Sequence, residues 1–138
     1  MDSAKKKKIR IKGKILSRID PGVDIPITFH CKRCGTPISK PVRQLAWTPD
    51  TDDLESEVPR VAQGFYFVEQ GDYVLNLADL DNTLQLPDMG CCGQSGIAGR
   101  NVTCAQRHEV ATEHSDCCYP HDAVLDKDRV SPVTQYDK

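Results

Sequence analysis

Residues 25–35 read IPITFHCKRCG, and this stretch decides the fold because a strand pattern leads directly into a pair of cysteines. Apolar residues alternate here, so that Ile25, Ile27 and Phe29 fall on one face of an extended chain. A period of two is the pattern of a half-buried β-strand. The stretch therefore predicts a strand whose end positions two thiols.

The cysteine pair has the spacing of a metal-binding knuckle. Two residues separate Cys31 from Cys34, so that a tight turn can aim both thiolates at one zinc ion. Gly35 allows the positive backbone dihedral that often ends such a turn. A redox pair is the alternative, but redox motifs of this spacing open a helix, and the Gly-Thr-Pro sequence that ends at Pro37 blocks one. We therefore favour a metal site.

Other segments of the chain also alternate, and turn residues separate them. Residues 8–19 alternate isoleucine with lysine and arginine, which predicts a strand with a basic outer face before a Pro-Gly turn at 20–24. Residues 64–77 predict a hairpin that turns around EQGD, and residues 101–112 predict another. An acidic, proline-bounded segment at 48–59 is expected to form an exposed loop.

These segments predict a mainly β fold (a β-rich α+β class), namely a small zinc-stapled domain of antiparallel hairpins with zinc-ribbon-like knuckles. The chain has 138 residues, of which 38% are hydrophobic and only 6% are aromatic. Such a composition gives a modest core that a metal ion would help to hold together. We expect one domain at residues 1–130 and a flexible tail at 131–138.

Cysteine usage indicates a reducing compartment. The chain has seven cysteines, an odd number, and neither a signal-peptide pattern nor an apolar run long enough to span a membrane. Disulfide scaffolds belong to oxidising compartments, whereas cytosolic cysteine clusters more often bind metal or react as thiols. We therefore expect a cytoplasmic protein with no membrane partner.

A single cysteine pair supplies only two of the four ligands of a zinc ion, so others must come from later in the chain. The stretch GCCGQSGIAG at residues 90–99 places Cys91 beside Cys92. Adjacent residues of an extended chain point to opposite sides, so we expect one of the two to bind metal while the other packs, or each to face a different ion. A phosphate-binding loop is the rival interpretation of the glycines, but the P-loop ending Gly-Lys-Ser/Thr is absent.

Two ligand arrangements remain open, because the later cysteines and histidines recur at a spacing that suits a Cys/His site. In the two-ion arrangement, one zinc takes Cys31 and Cys34 with Cys91, Cys92 or both, and the other takes Cys104, His108, Cys117 and His121. In the one-ion arrangement, Cys31 and Cys34 act with Cys91 or Cys92 and with Cys104 or Cys117. The candidate Zn²⁺ ligands are Cys31, Cys34, Cys91, Cys92, Cys104, Cys117 and His121.

Three segments, CKRCG at 31–35, GCCGQSGIAGRNVTC at 90–104 and SDCCYPH at 115–121, carry a resemblance. Together they resemble zinc-ribbon-type proteins, in particular small uncharacterised bacterial proteins with a cysteine-rich C-terminal half. The first segment is a generic motif, and the other two are more distinctive. The resemblance implies zinc binding by cysteine ligands and implies no activity.

No catalytic motif stands out in the sequence. The chain lacks the HExxH pattern of zinc proteases, the zinc-deaminase signature and the GxSxG of serine hydrolases. Nucleophile and base types occur together at 113–117, but catalytic partners usually meet from distant segments. We therefore expect a protein that is not an enzyme.

Charge is divided unevenly along the chain. Residues 1–44 hold twelve Lys and Arg against three acidic residues, whereas residues 45–138 hold six against seventeen, and the formal net charge is −2. A basic end suggests nucleic acid or another acidic partner. Two halves of opposite charge can also attract each other within one fold.

We expect a non-enzymatic zinc-binding protein that acts through contacts with another protein, as an adaptor, inhibitor or immunity-type factor. The acidic segment at 50–57 and the tail are the expected contact regions. The alternative is a nucleic-acid-binding zinc-ribbon protein that contacts phosphates with its basic N-terminal strand. The residues that would do so are Lys5, Lys6, Lys7, Lys8, Arg10, Lys12 and Lys14.

Overall fold

The computed structural model describes residues 25–45, 58–88, 90–117 and 120–134. Within these ranges the chain forms β-strands and one short 3₁₀ helix, Leu77–Asp79, which confirms the mainly β class. The strands are β1 (Ile27–Cys31), β2 (Arg43–Gln44), β3 (Phe65–Glu69), β4 (Asp72–Leu75), β5 (Thr83–Gln85), β6 (Val102–Cys104), β7 (Glu109–His114), β8 (Asp122–Leu125) and β9 (Val130–Thr134).

The strands form two sheets. The larger sheet has the order β2-β3-β4-β8-β7-β6-β5, and all its pairs are antiparallel except β2 with β3. The smaller sheet pairs β1 with β9 in antiparallel fashion. Backbone hydrogen bonds of 2.8 Å in both directions between Ile27 and Val42 connect the smaller sheet to the chain entering β2.

Strand β1 supplies the centre of the main hydrophobic core. Ile27, Phe29 and Cys31 alternate inward and are buried, as their period of two predicts. The ring of Phe29 is fully buried and packs against Tyr66 and Tyr73, with ring centroids 5.2 and 4.6 Å away. The strand that leads to the first cysteine pair is thus held by aromatic packing.

Strands β3 and β4 form the hairpin that the sequence predicts at 64–77. Glu69 pairs with Asp72, so Gln70 and Gly71 form a two-residue turn with φ values of 54° and 89°. Positive φ at both positions is typical of a type I′ turn, whose twist matches that of the flanking strands. The hairpin contributes Phe67 to a second, smaller core cluster.

The second predicted hairpin, at 101–112, is also present as β6 and β7. A β-bulge between Val102 and Thr103 shifts the register. Buried and exposed side chains alternate less regularly along β7 than along a strand with one exposed face, because Val110, Ala111 and Glu113 are all buried. A strand with neighbours on both sides and buried residues on both faces lies in the interior of the sheet.

A buried ionic network joins β8 to its surroundings. Asp122 is 1% exposed, and its two carboxylate oxygens lie 2.6 Å from Arg60 Nη1 and 2.6 Å from His114 Nδ1. Arg60 also pairs with Glu69 at 2.8 Å and stacks over the ring of Phe67. Two partners satisfy this buried carboxylate, which would otherwise be costly to desolvate.

The end of the domain differs from the prediction of a flexible tail at 131–138. Residues 131–134 belong to β9 and pair with β1, with Pro132 opposite Phe29. A proline cannot donate a hydrogen bond to a ladder, but it is tolerated in an edge strand. The domain therefore extends beyond residue 130 at least to Thr134.

Several predictions fall on residues outside the described ranges. They are the basic strand at 8–19, the turn at 20–24, the acidic segment at 48–57 and the final four residues, 135–138. In the described part of the chain, no helix is long and apolar enough to cross a membrane.

The pairing of β9 with β1 predicts that residues 131–134 stabilise the domain. A chain that ends at Val130 should lose the hydrogen bonds between these residues and β1, each of which contributes about 1 kcal/mol to the unfolding free energy. A chain that ends at Thr134 is the matched control and should unfold like the full chain. Denaturant unfolding of the three proteins measures this, and equal midpoints would mean that 131–134 are a dispensable tail.

Candidate metal centres

Two clusters of thiol, imidazole and carboxylate groups could each hold a metal ion. In each cluster the possible ligand atoms all lie within 4.8 Å of one another. We call them the first cluster, which consists of Cys31, Cys34, Cys104 and His108, and the second cluster, which consists of Cys91, Cys92, Asp116 and Cys117.

A turn after β1 positions the first two thiols of the first cluster. Cys31 is the last residue of β1, and its carbonyl oxygen accepts a 2.8 Å hydrogen bond from the Gly35 N–H. Gly35 has φ of 76°, a conformation that glycine adopts without steric cost. This hydrogen bond closes the chain around residues 32–34 and turns Cys34 back towards Cys31.

A second turn, between β6 and β7, positions the other two groups. Cys104 ends β6, and its carbonyl oxygen accepts a 2.9 Å hydrogen bond from Arg107 N–H. The Cys104 sulfur accepts a 3.3 Å hydrogen bond from Gln106 N–H. The Cys104 N–H in turn donates to the His108 carbonyl at 2.9 Å, so the two side chains start from one tight loop.

The separations within the first cluster match those of a tetrahedral zinc site. Cys34 Sγ lies 3.7 Å from Cys104 Sγ, and His108 Nδ1 lies 3.4 Å from Cys104 Sγ and 3.6 Å from Cys31 Sγ. Around a tetrahedral zinc ion, ordinary bond lengths place two sulfurs about 3.8 Å apart and a sulfur and a nitrogen about 3.6 Å apart. The four side chains therefore lie close enough together to hold one metal ion.

Local hydrogen bonds prepare one of these thiols for ionisation. The Thr36 hydroxyl lies 3.1 Å from Cys34 Sγ, and hydrogen bonds from the Thr36 side chain and backbone lower the pKa of Cys34 to about 6. Burial acts in the other direction on Cys31 and raises the pKa of that thiol. Of these two thiols, the exposed one therefore has the lower pKa.

Basic residues surround the first cluster. Lys32 and Arg33 lie between its first two cysteines, and Arg107 directly precedes His108. All three side chains are exposed, and within the described ranges none of them makes an ion pair. Three exposed cations are thus adjacent in sequence to members of this cluster.

The second cluster brings two loops together. Cys91 and Cys92 lie between β5 and β6, whereas Cys117 lies between β7 and β8. The Cys91 sulfur lies 3.5 Å from that of Cys92 and 3.4 Å from that of Cys117. Hydrogen bonds with the thiols of Cys117 and Cys91 raise the pKa of Cys92 to about 12. A bound cation would act in the opposite direction on the pKa of Cys92.

Asp116 connects the two loops through its carboxylate. The side chain is 7% exposed, and its Oδ1 atom accepts hydrogen bonds of 2.8 Å from Cys92 N–H and 2.9 Å from Cys117 N–H. These backbone donors lower the pKa of Asp116. One carboxylate oxygen thus fixes the backbone on both sides of the thiol group.

Asp88 organises the loop that carries the adjacent cysteines. Its Oδ1 atom accepts hydrogen bonds from Gly90 N–H at 3.0 Å and from the N–H and hydroxyl of Ser95 at 2.7 and 2.6 Å. Its Oδ2 atom accepts from Gly96 N–H at 3.1 Å and from the Asn101 amide at 2.9 Å. The Ser95 side chain and the other donors hold the pKa of Asp88 well below its usual range.

Close backbone approach explains two of the loop glycines. A Cβ atom on Gly93 would lie 2.5 Å from the Ser115 carbonyl oxygen, and one on Gly96 would lie 2.6 Å from the His114 ring. The loop therefore packs directly on the end of β7. Glycine is required because nothing larger fits between these atoms.

The two clusters lie at opposite ends of β7, so the residues are grouped differently from the expected two-ion arrangement. His108 directly precedes this six-residue strand and Asp116 follows it by two residues, and a strand of that length spans about 20 Å. Cys104 and His108 therefore lie with the Cys31 and Cys34 pair. They do not lie near Cys117.

The adjacent cysteines are also placed differently from expectation. Cys91 and Cys92 were expected to serve separate roles, yet both sulfurs belong to the second cluster. The expectation assumed an extended backbone, whereas the chain bends through residues 91–93. The side chains of consecutive residues point to opposite sides only where the backbone is extended, as in a strand.

The structure places His121 in neither cluster. Its Nε2 atom donates a 3.1 Å hydrogen bond to the Asp116 carbonyl oxygen, so it supports the loop beside the second cluster. His114 pairs with Asp122, which raises the pKa of His114. His30 Nδ1 donates to the Gly35 carbonyl at 2.9 Å. Cys118 lies outside the described residues.

Sequence reasoning missed Asp116 as a member of a cluster and left His108 out of the final ligand set. The spacing Cys104-x3-His108 is a signal that can find the histidine. Asp116 has no such signal, because its role depends on the approach of the loop around Cys92, which is 24 residues away.

Comparison of the chain with protein-family models, with curated proteins and with solved structures gave no match.

The contacts of Asp88 predict how stability depends on pH. The pKa of Asp88 is lower in the folded protein than in the unfolded chain, where it is about 3.9. The ionised carboxylate therefore stabilises the folded state above that pH. This stabilisation is lost as the pH falls through the folded-state pKa. Asp88→Asn should lower the unfolding free energy at pH 7. The difference in unfolding free energy between this variant and wild type should become smaller below about pH 4. Asp128→Asn, at a side chain that is 80% exposed, is the control.

Denaturant unfolding at a series of pH values measures this gap. A difference between Asp88→Asn and wild type that stays constant down to pH 2 would contradict the assignment of Asp88 as an ionised organiser of the loop.

Proposed function

We propose that this protein is a non-enzymatic zinc-binding module, in which a structural zinc ion at the first cluster holds a β-rich scaffold that acts through contacts with another protein. The observation that carries the proposal is the set of separations between 3.4 and 3.7 Å that links the cluster's sulfur and nitrogen atoms. These three separations are close to those between the ligand atoms of a tetrahedral zinc ion, which supports the proposal.

The donor set favours zinc among the metals of a cell. Three thiols and one imidazole nitrogen form a Cys₃His site, which is a common ligand set of structural zinc. Hard cations such as magnesium and calcium prefer oxygen ligands. The zinc-ribbon resemblance and a cytoplasmic location, where thiols stay reduced, belong to the same proposal.

The position of the first cluster favours a structural role. Cys31 belongs to the smaller sheet and Cys104 to the larger sheet, so an ion bound here would crosslink the two. Both of these thiols are at most 1% exposed. Four protein ligands also leave no open position for water, whereas a catalytic zinc keeps one open.

The edge of the larger sheet favours a protein partner. Strand β5 is an outermost strand, and it presents Leu84 with 41% of its surface exposed. Ile97, in the loop after β5, is 73% exposed. An edge strand with exposed apolar side chains can pair with a strand of another chain. An adaptor, an inhibitor or an immunity-type factor would use such a surface.

Histidine variants test the zinc ligand set. His108→Gln should lower bound zinc by one ion per chain and should lower the thermal midpoint, because the variant loses one of four ligands. His121→Gln, at a histidine that belongs to neither cluster, is the control and should keep the zinc content of wild type. Elemental analysis of protein purified without added metal gives the stoichiometry. Equal zinc content in wild type and His108→Gln would overturn the proposed site.

A specific observation keeps nucleic acid as the second candidate partner. The exposed side chains of Lys32, Arg33 and Arg107 surround the first cluster without ion pairs among the described residues. Phosphate groups bind to such basic surfaces, and their affinity falls as salt rises.

Binding to random-sequence DNA and RNA at low and high salt separates the two candidates. If the protein acts through protein contacts, neither polymer should bind at low salt, and Leu84→Asp should release a partner that co-purifies at one copy per chain. If nucleic acid is the partner, the Arg33→Ala/Arg107→Ala double variant should bind at least tenfold more weakly. Lys127→Ala, at an exposed cation that pairs with Asp128, is the control.

A further inference from the structure

The second cluster has no role in the proposed function, yet it gathers three thiols at one point of the surface. We propose that Cys91, Cys92 and Cys117 form an exchangeable site for a thiophilic divalent cation such as Zn²⁺ or Cd²⁺, and that Asp116 positions these thiols without being a ligand. This inference goes beyond the proposed function and does not depend on zinc at the first cluster.

The sulfur positions are the first support for this site. Cys91 Sγ lies 3.5 Å from Cys92 Sγ and 3.4 Å from Cys117 Sγ, and all ligand atoms of the cluster lie within 4.8 Å of one another. These values are within a few tenths of an ångström of the sulfur separation of about 3.8 Å around a tetrahedral ion. Three soft donors at this spacing select thiophilic metals over magnesium or calcium.

The hydrogen bonds of Asp116 are the second support. Its Oδ1 atom accepts from Cys92 N–H and Cys117 N–H, so it fixes the backbone that carries two of the three thiols. That oxygen lies 3.7 Å from Cys91 Sγ, beside the thiols. A carboxylate that orients ligands in this way typically changes metal affinity by about 10- to 100-fold when it is replaced.

The rigid loop around the cysteines is the third support. Asp88 holds the segment on the N-terminal side of Cys91 through Gly90 N–H, and Gln94 N–H donates to the Ser115 hydroxyl at 3.0 Å. Ser115 N–H donates to the Gln94 carbonyl at 2.8 Å. The two loops are thus joined on both sides of the thiol group before any metal arrives, which is the preorganisation a binding site needs.

Exposure distinguishes this site from the first cluster. Cys91 and Cys92 are exposed and Cys117 is half-buried, whereas the first cluster includes two thiols that are at most 1% exposed. Three protein ligands also leave a fourth position of the ion open to water or to a thiol from solution. An incoming ligand can therefore reach an ion here without opening the fold, so we expect this ion to exchange first.

Cadmium titration of the full, reduced protein tests the proposal. Wild type should bind two Cd²⁺ ions per chain, as counted from the ultraviolet charge-transfer band of cadmium thiolates. A competing chelator should remove one ion first, with no change in the thermal midpoint. Cys117→Ser and Cys92→Ser should each lose this early-exchanging ion and keep the other. His108→Gln should keep the early-exchanging ion, which separates this result from a failure of the proposed function.

Asp116→Asn distinguishes a positioning residue from a ligand. If Asp116 positions the thiols, this variant should bind the exchangeable Cd²⁺ roughly tenfold more weakly with an unchanged ¹¹³Cd chemical shift. A changed shift would make Asp116 a ligand and overturn that part of the proposal. The site itself is overturned if Cys117→Ser binds as much cadmium as wild type, if the chelator releases the ion only on unfolding, or if the native protein carries a disulfide among the three cysteines.

Discussion

The antiparallel pairing of β7 with β6 on one side and β8 on the other holds apart the residues that flank this strand and belong to the two clusters. Both neighbours pair along this strand, and Val110 and Ala111 are fully buried. The strand therefore cannot slide or turn over without exposing core residues, since a shift of one residue exchanges its two faces. His108 before it and Asp116 after it are consequently held apart, which is why the molecule has two separate clusters.

Each end of β7 has its own electrostatic character. Exposed cations surround the first cluster, namely Lys32, Arg33 and Arg107. At the other end, Asp88 and Asp116 are surrounded by backbone donors that stabilise their negative charge. The two ends of β7 therefore differ: exposed cations adjoin one cluster in sequence, and hydrogen-bonded carboxylates adjoin the other.

Local pattern predicted much of this structure, and long-range contact decided the rest. The alternation before Cys31 and the turn at Gly71 indicated their strands because strand burial and turn geometry depend on neighbouring residues. Which cysteines come together depends on the order of the strands in the sheet. The spacing of the cysteines in the sequence does not predict that order. The sequence therefore led to the cysteines but not to their grouping, and it missed the bridge that Asp116 makes.

The sequence separation of the members of each cluster has a consequence for the order of folding. Contacts of the first cluster join residues 70 and 77 positions apart, whereas the cysteines of the second cluster are 26 positions apart. Closing the longer loop costs about 1 kcal/mol more in chain entropy. The second cluster can therefore assemble around its hairpin while the ends of the domain are still apart. The first cluster can form only after β1, which ends at Cys31, has approached β6, which ends at Cys104.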